Sequence, residues 1–215
     1  MATNLFQKVA SAYRDNGLAE VAKRALQRAS RLVYESNSAI WFMRDLHAAV
    51  DPVPSGIPLT ITYTDFAETL GWIEQLETPW MLNSEELRVA KEQGHLWVNA
   101  KHDGKVVAYI KLGFKDVYIV DYGKTIPFPE QIAFIYDTYV LPELRGHKIA
   151  SHFVNELALY LEGKGYSKLM CHIPTWNIAS IKTYERIGFR RTGEICCSKL
   201  LRFPFLSASP LDMTE

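Results

Sequence analysis

The chain has 215 residues, 48% hydrophobic and 22% charged, which supplies one sizeable core plus an appendage and excludes a disordered polymer. Its 24 basic and 24 acidic residues cancel, so no global charge favours nucleic acid, and any anion site must be local. Three cysteines, two of them adjacent as Cys196 and Cys197, form neither a CxxC pair nor an even framework, which suits a reducing compartment and makes the cytoplasm the expected location. The opening MATNLFQKVA lacks the apolar core of a signal peptide, and no run approaches the roughly 20 apolar residues of a membrane span.

From Leu5 to about Leu46 the spacing predicts helix, with Leu18, Val21, Ala22, Ala25, Leu26, Ala29, Leu32 and Val33 on one face and Lys23, Arg24, Arg28 and Arg31 opposite. A basic amphipathic helix of this kind either docks on the main domain or on a second copy, giving a homodimer, or lies on an anionic membrane surface. DPVPSGIP, Asp51 to Pro58, carries three prolines and a glycine and reads as a linker. The expected organisation is an extension over 1–50, a linker over 51–58, a main domain over 59–206 and a tail over 207–215.

Leu59 to Tyr63 alternates apolar residues with Thr and reads as a strand, followed by helical spacing over 66–76. Asn83-Ser84-Glu85-Glu86 opens another helix with acids in its first turn, where the dipole favours them. His95–Ala100 and Val106–Leu112 flank HDGK, whose Asp103-Gly104 is a hairpin signal. Val117–Val120 reads as a short strand and DYGKTIPFPEQ as a loop. Beyond Phe189, the apolar stretch around 195–205 predicts one or two closing strands.

The densest information lies between Phe134 and Phe189. An apolar run, Phe134 to Val140, stops at Pro142, and a basic turn (Arg145, Gly146, His147, Lys148) leads into a helix with Ile149, Phe153, Leu157 and Leu161 on one face. A second apolar run, Leu169 to Ile173, precedes Asn177, an N-cap for a short helix ending at Gly188. The unit is β-α-β-α, and its crossover helix implies parallel strands. Three cationic side chains at a helix N-terminus are disfavoured by about 0.3–1 kcal/mol each unless an anion sits there. The turn therefore reads as an anion site.

The order V-x-P-E-x-R-G-x-x-I-A, then N-x-x-A-x-x-x-Y-x-x-x-G-F with Ser180 at the Ala position, resembles the GNAT superfamily of N-acetyltransferases. The matching residues are Val140, Pro142, Glu143, Arg145, Gly146, Ile149, Ala150, Asn177, Tyr184, Gly188 and Phe189. The resemblance implies an α/β (α+β) fold with a mixed central β-sheet flanked by helices, here with an N-terminal helical extension. It implies acetyl-CoA, or another acyl-CoA, as co-substrate, with its pyrophosphate on the amides of Arg145, Gly146, His147, Lys148, Ile149 and Ala150. Lys148 stands where the family usually has glycine. The pantetheine arm would pair with the backbone of Thr138, Tyr139 and Val140, and Asn177 would hold one of its amides.

Acyl transfer to an amine needs a base for the ammonium, donors for the oxyanion and an acid for the leaving thiolate. By resemblance Tyr184 is the acid, and an amide near Val140 meets the oxyanion. His172 is the candidate base, since imidazole titrates in the useful range, and Asp137 is the reserve base or an orienting carboxylate. Strand alternation puts Met170, His172 and Pro174 on one face and Cys171 on the other, against a catalytic cysteine. No spacing suggests a metal. The acceptor region implied by the family spans Phe66–Asn83 and Lys115–Gln131, with Trp72, Trp80, Tyr118, Tyr122 and Phe128 near Asp65, Asp116 and Asp121, aromatics that fit an amine-bearing acceptor and equally fit core and rim. The expected function is an acetyl-CoA-dependent N-acyltransferase acting on a small-molecule amine, an amino sugar or a glycan precursor. The alternative is a non-catalytic acyl-CoA-binding module that docks to a partner or membrane through its N-terminal helix. A protein acetyltransferase ranks lower, because no acidic peptide groove or targeting signal is visible.

Overall fold

The computed structural model describes residues 34–65, 84–200 and 203–208. The chain divides into two compact units, 38–195 with 208–215, and 1–37 with 196–207. In the larger unit the elements are β1 (Tyr34–Asp45, from Ser38 onward), β2 (Thr60–Asp65), α1 (Ser84–Gln93), β3 (Leu96–His102), β4 (Lys105–Phe114), β5 (Asp116–Ile119), β6 (Lys124–Pro127), β7 (Ile132–Val140), α2 (Ile149–Gly163), β8 (Lys168–Pro174), α3 (Ile178–Arg186) and the first half of β9 (Arg190–Leu200). The smaller unit holds the second half of β9 and, but for its last residue, β10 (Phe203–Ala208).

The strands of the larger unit stand in the order β9-β1-β8-β7-β4-β3-β2, and β5 and β6 form a separate two-stranded ribbon. Only β7 and β8 among the registered pairs run parallel; β1–β8, β2–β3, β3–β4 and β4–β7 are antiparallel. This is the expected mixed sheet. The β3–β4 hairpin closes through Asp103 at φ 48° and Gly104 at φ 76°, the left-handed pair that an Asp-Gly turn supplies.

The two faces of the sheet carry different chemistry. On one face α2 lays Ile149, Phe153, Leu157 and Leu161 onto Ile110, Leu112, Ile135 and Cys171, and all of these are buried. The three- and four-residue spacing of that helix produces the stripe, and burial of an aliphatic or aromatic side chain there stabilises by about 1.5–3 kcal/mol. The other face is aromatic and polar. Trp41, Trp97, Tyr109 and Phe134 lie buried there with Lys111, and Glu86 of α1 reaches Lys111 from above.

Three sequence expectations change. The helical reading of 5–46 fails for its described part, because 34–45 is strand. Ala39-Ile40-Trp41-Phe42-Met43 is buried on both faces, with Ile40 and Phe42 in the α2 core and Trp41 against the aromatic face. A continuous apolar run satisfies helical spacing too; the open edge of β8 decides in favour of strand. Second, DYGKTIPFPEQ is not all loop, since it contains β6, whose Thr125 and Ile126 pair with Tyr118 and Val117. Third, 51–58 lies inside the larger unit and is tied to the basic turn, with the Gly56 amide donating to the His147 carbonyl at 2.8 Å. The N-terminal amphipathic pattern before Tyr34, the helical spacing over 66–76 and the tail after 208 lie outside the described residues. No helix among the described residues is long and apolar enough to cross a membrane.

His95 gives the fold an acid sensitivity. Its Nε2 faces the carbonyls of Phe114 (3.1 Å) and Asp116 (3.0 Å), two acceptors, so Nε2 carries the proton. Nδ1 is buried with no partner, and burial lowers the imidazole's pKa. The neutral ring is therefore the folded form, while the unfolded chain protonates near pH 6.5. Stability is full above that value and falls as pH drops below it, by at most about 1.4 kcal/mol per pH unit. Urea denaturation of His95→Gln is expected to show a shallower loss between about pH 6.5 and 5 than the native chain.

Candidate functional site

The site begins where pairing between β7 and β8 ends. Ile132 to Ile135 register with Lys168 to Cys171, and there the ladder stops, although β7 runs on to Val140 and β8 to Pro174. A bulge in the β4–β7 register, with Lys111 opposite Asp137 and Leu112 opposite Ile135, bends β7 at the same point. The diverging halves enclose a cavity of about 210 Å³. Asp137, Thr138, His172, Asn177 and Tyr184, read from sequence as site residues, all line it, and Asp121 joins them.

Tyr184 is delivered by α3. Asn177 caps that helix, its Oδ1 accepting from the Ser180 amide at 3.2 Å, which leaves the Asn177 amide nitrogen as a donor toward the cleft. At the other end Gly188 takes φ 88° and the Phe189 amide returns to the Tyr184 carbonyl at 3.1 Å. A side chain at Gly188 would also press on Val50, 2.8 Å from the Cβ position. Between these stops Tyr184 is buried, with its hydroxyl 3.0 Å from Thr138 Oγ1. Burial, with Cys171 close by, raises the phenol well above its ordinary value, so it stays protonated. The Cys171 thiol is likewise pushed up by burial and points into the α2 core, away from His172.

His172 occupies the opposite wall. Its side chain is 6% exposed, with Nε2 3.6 Å from Asp121 Oδ2 and Nδ1 buried without a partner. The ring stacks on Phe134 (5.7 Å between centroids) and is flanked by Trp41 and Tyr122. Trp41 is its register partner across β1–β8. Tyr122 and Phe128, which the sequence leaves open between acceptor site and core, are buried anchors that seat the β5–β6 ribbon on this face.

Asp137 belongs to a buried charge group. Lys111 Nζ, 3% exposed, lies 2.6 Å from Glu86 Oε1 and 3.5 Å from Asp137 Oδ2. Tyr109 donates its hydroxyl to Asp137 at 3.1 Å, and the ammonium sits over the rings of Trp97 and Tyr136. Burial raises the pKa of Glu86, an effect opposed by the adjacent ammonium. These bonds hold Asp137 still, which suits an orienting carboxylate better than a mobile base. The sequence carried a signal for this group: a lysine inside the apolar run Val106–Leu112 needs a buried partner.

The anion turn lies beyond the open end of β7. Gly146 at φ 90° and Lys148 at φ 57° put two left-handed residues just ahead of α2. Alternating handedness of this kind turns successive amides into a concave donor array. His152 makes the first intrahelical bond, to the Lys148 carbonyl, so the preceding first-turn amides are left for a ligand. Arg145 folds back, its Nε donating to the Val140 carbonyl at 3.2 Å and its guanidinium lying over Tyr139. These residues fit a pyrophosphate, and the usual glycine at position 148 is explained by the left-handed backbone that Lys148 adopts there. Tyr139, Val140 and residues 145–150 follow on from the cavity rather than lining it. Trp72 and Trp80 lie outside the described residues. Among the described residues no group of three or more His, Cys, Asp or Glu could hold a metal ion.

A mixed sheet opened between two parallel strands, above a helix N-terminus with freed amides, defines the N-acetyltransferase class of fold. The model of the acetyltransferase (GNAT) family matches residues 60–189, more than half of the chain, and the chain belongs to that family. Among solved structures it is similar to a GNAT-family acetyltransferase from Colwellia psychrerythraea (TM-score 0.52, 16% identity, 76% of this chain and 55% of that one). It is also similar to a GNAT-family protein from Novosphingobium aromaticivorans (TM-score 0.52, 18% identity, 82% and 66%) and to a Drosophila protein (TM-score 0.53, 16% identity, 86% and 58%). This chain thus spans between about half and two thirds of those chains' lengths, and identities this low establish the fold alone. No curated protein matches the chain.

Removing one member of the buried pair strands the other. Lys111→Met is expected to cost about 3–5 kcal/mol in chemical denaturation, and the double change Lys111→Met, Glu86→Leu to recover most of that loss.

Proposed function

We propose that this protein is an acetyl-CoA-dependent N-acyltransferase whose acceptor is the amine of a small molecule, with amino sugars and glycan precursors as the acceptor class. The observation that carries this reading is the gap between β7 and β8, with Tyr184 on one wall and His172 on the other. When bound, acetyl-CoA supplies the thioester that the amine attacks.

In this reading the chain's residues act in order. Amides of the turn from Gly146 to Ala150 hold the pyrophosphate, reinforced by the α2 dipole and the Lys148 ammonium, while the Arg145 amide is already given to the Pro142 carbonyl at 3.2 Å. The backbone of Thr138 to Val140, freed from β8, offers donors and acceptors to the pantetheine arm, and the Asn177 amide nitrogen donates to one of its carbonyls. His172 takes the proton from the acceptor ammonium, directly or through water, and so exposes the nitrogen lone pair. A β7 amide near Val140 meets the developing oxyanion. Tyr184 protonates the leaving sulfur, then recovers a proton as the new amide nitrogen loses its own. The net reaction releases one proton, which leaves through His172. Asp137, braced by Tyr109 and Lys111, orients the acceptor.

Tyr184→Phe is expected to lower kcat by roughly a hundredfold while leaving the calorimetric affinity for CoA unchanged. Equal turnover would remove Tyr184 from the reaction. Saturating acetyl-CoA is expected to stabilise the fold by about 2.7 kcal/mol at 100 times its dissociation constant, read as a thermal shift. Stabilisation without turnover over an amine panel would favour the non-catalytic binding module.

A further inference from the structure

Asp121 has no role in the mechanism above, yet its placement is built with care. It stands at the tip of the β5–β6 ribbon, where the Tyr122 and Gly123 amides both return to the Ile119 carbonyl (3.1 and 2.9 Å) and Gly123 takes φ 60°. The neighbouring Tyr122, 2% exposed, is locked against Trp41 and His172, and the far end of the ribbon is pinned by Phe128 on Phe134. The tip is therefore a fixed bracket. It leaves the Asp121 side chain 57% exposed within the cavity wall and 3.6 Å from His172 Nε2. That gap is too long for a direct hydrogen bond. A nitrogen donor bridging the two atoms would sit at about 2.8–3.0 Å from each.

We propose that Asp121 is the acceptor-anchoring residue: its carboxylate receives the acceptor's ammonium and holds it against Nε2 of His172. The inference rests on the acyl-transfer reading and narrows its acceptor. One N–H of the ammonium points to Asp121, and a second proton passes to Nε2, giving imidazolium and a neutral amine. Asp121 keeps its charge throughout. The other charged or titratable groups along the described cavity lining are Asp137, Tyr136, Tyr184 and Cys171; it contains no lysine or arginine. Asp137 already faces the Lys111 ammonium, so Asp121 is the carboxylate that selects a primary amine over a hydroxyl and disfavours an acceptor carrying an adjacent carboxylate or phosphate.

The test reads binding apart from turnover. With CoA bound, the His172 ring resonances are followed by NMR during titration with glucosamine, glucose and glucosamine 6-phosphate, in the native chain, Asp121→Asn and Asp121→Glu. Glucosamine is expected to shift the ring in the native chain and to bind roughly five- to tenfold more weakly to Asp121→Asn, with partial recovery in Asp121→Glu. Glucose and the phosphate are expected to bind no better than they do to Asp121→Asn. Equal glucosamine affinity in the native chain and Asp121→Asn overturns the proposal, as does equal binding of glucose, or no shift with glucosamine at any attainable concentration. Asp121-dependent binding without acetyl transfer would instead sink the enzymatic reading and leave the anchor standing.

Discussion

The whole arrangement depends on where one ladder of hydrogen bonds stops. β7 and β8 pair for four residues and then part, so their later edges face each other across a gap, while their outer edges stay paired to β4 and β1. In an ordinary sheet such a gap would be costly, because buried amides and carbonyls need partners. Here the bulge on β7 and the seat of α3 lie beside the opening, and the proposed acyl carrier would offer what the missing strand would have supplied. The side chains on either lip, Tyr184 and His172, owe their separation to this divergence.

The two faces of the sheet share the work unequally. The α2 face is aliphatic and close-packed, and it fixes the strands and the helix N-terminus that bears the anion turn. The opposite face collects rings and charges: Trp41, Phe134 and Tyr122 around His172, and Glu86, Lys111 and Tyr109 around Asp137. A low-polarity wall strengthens any charge interaction within it, so under the proposed function a few rigid carboxylates would suffice to sort acceptors. Their rigidity comes from α1 and the β5–β6 ribbon, which bury their own anchors.

The β-α-β-α unit from Phe134 to Phe189 was legible because its signals are local: an apolar run, a basic turn, a 3.6-residue stripe, an N-cap and a terminal glycine. The family resemblance rests on the same residues, and the match over 60–189 agrees with it. β1 was misread, since five consecutive apolar residues fit a buried helix as well as a two-faced strand, and the deciding edge is far away in sequence. β6 is too short and polar to announce itself, as Lys124-Thr125-Ile126-Pro127 shows. The Glu86–Lys111–Asp137 group and the approach of Asp121 to His172 join separate elements, and no spacing along one segment encodes them.

Trp41 meets its register partner 131 positions later in the chain (41 against 172). During synthesis the run from Ala39 to Met43 therefore waits, apolar on both sides, until nearly all of the sheet has left the ribosome. Contacts of such long sequence separation slow folding, and an unpaired hydrophobic strand is a template for wrong partners. The strand that completes the histidine's wall is thus also the segment most in need of shelter before the protein is whole, and chaperone dependence and yield on expression should follow its sequence more closely than that of any catalytic residue.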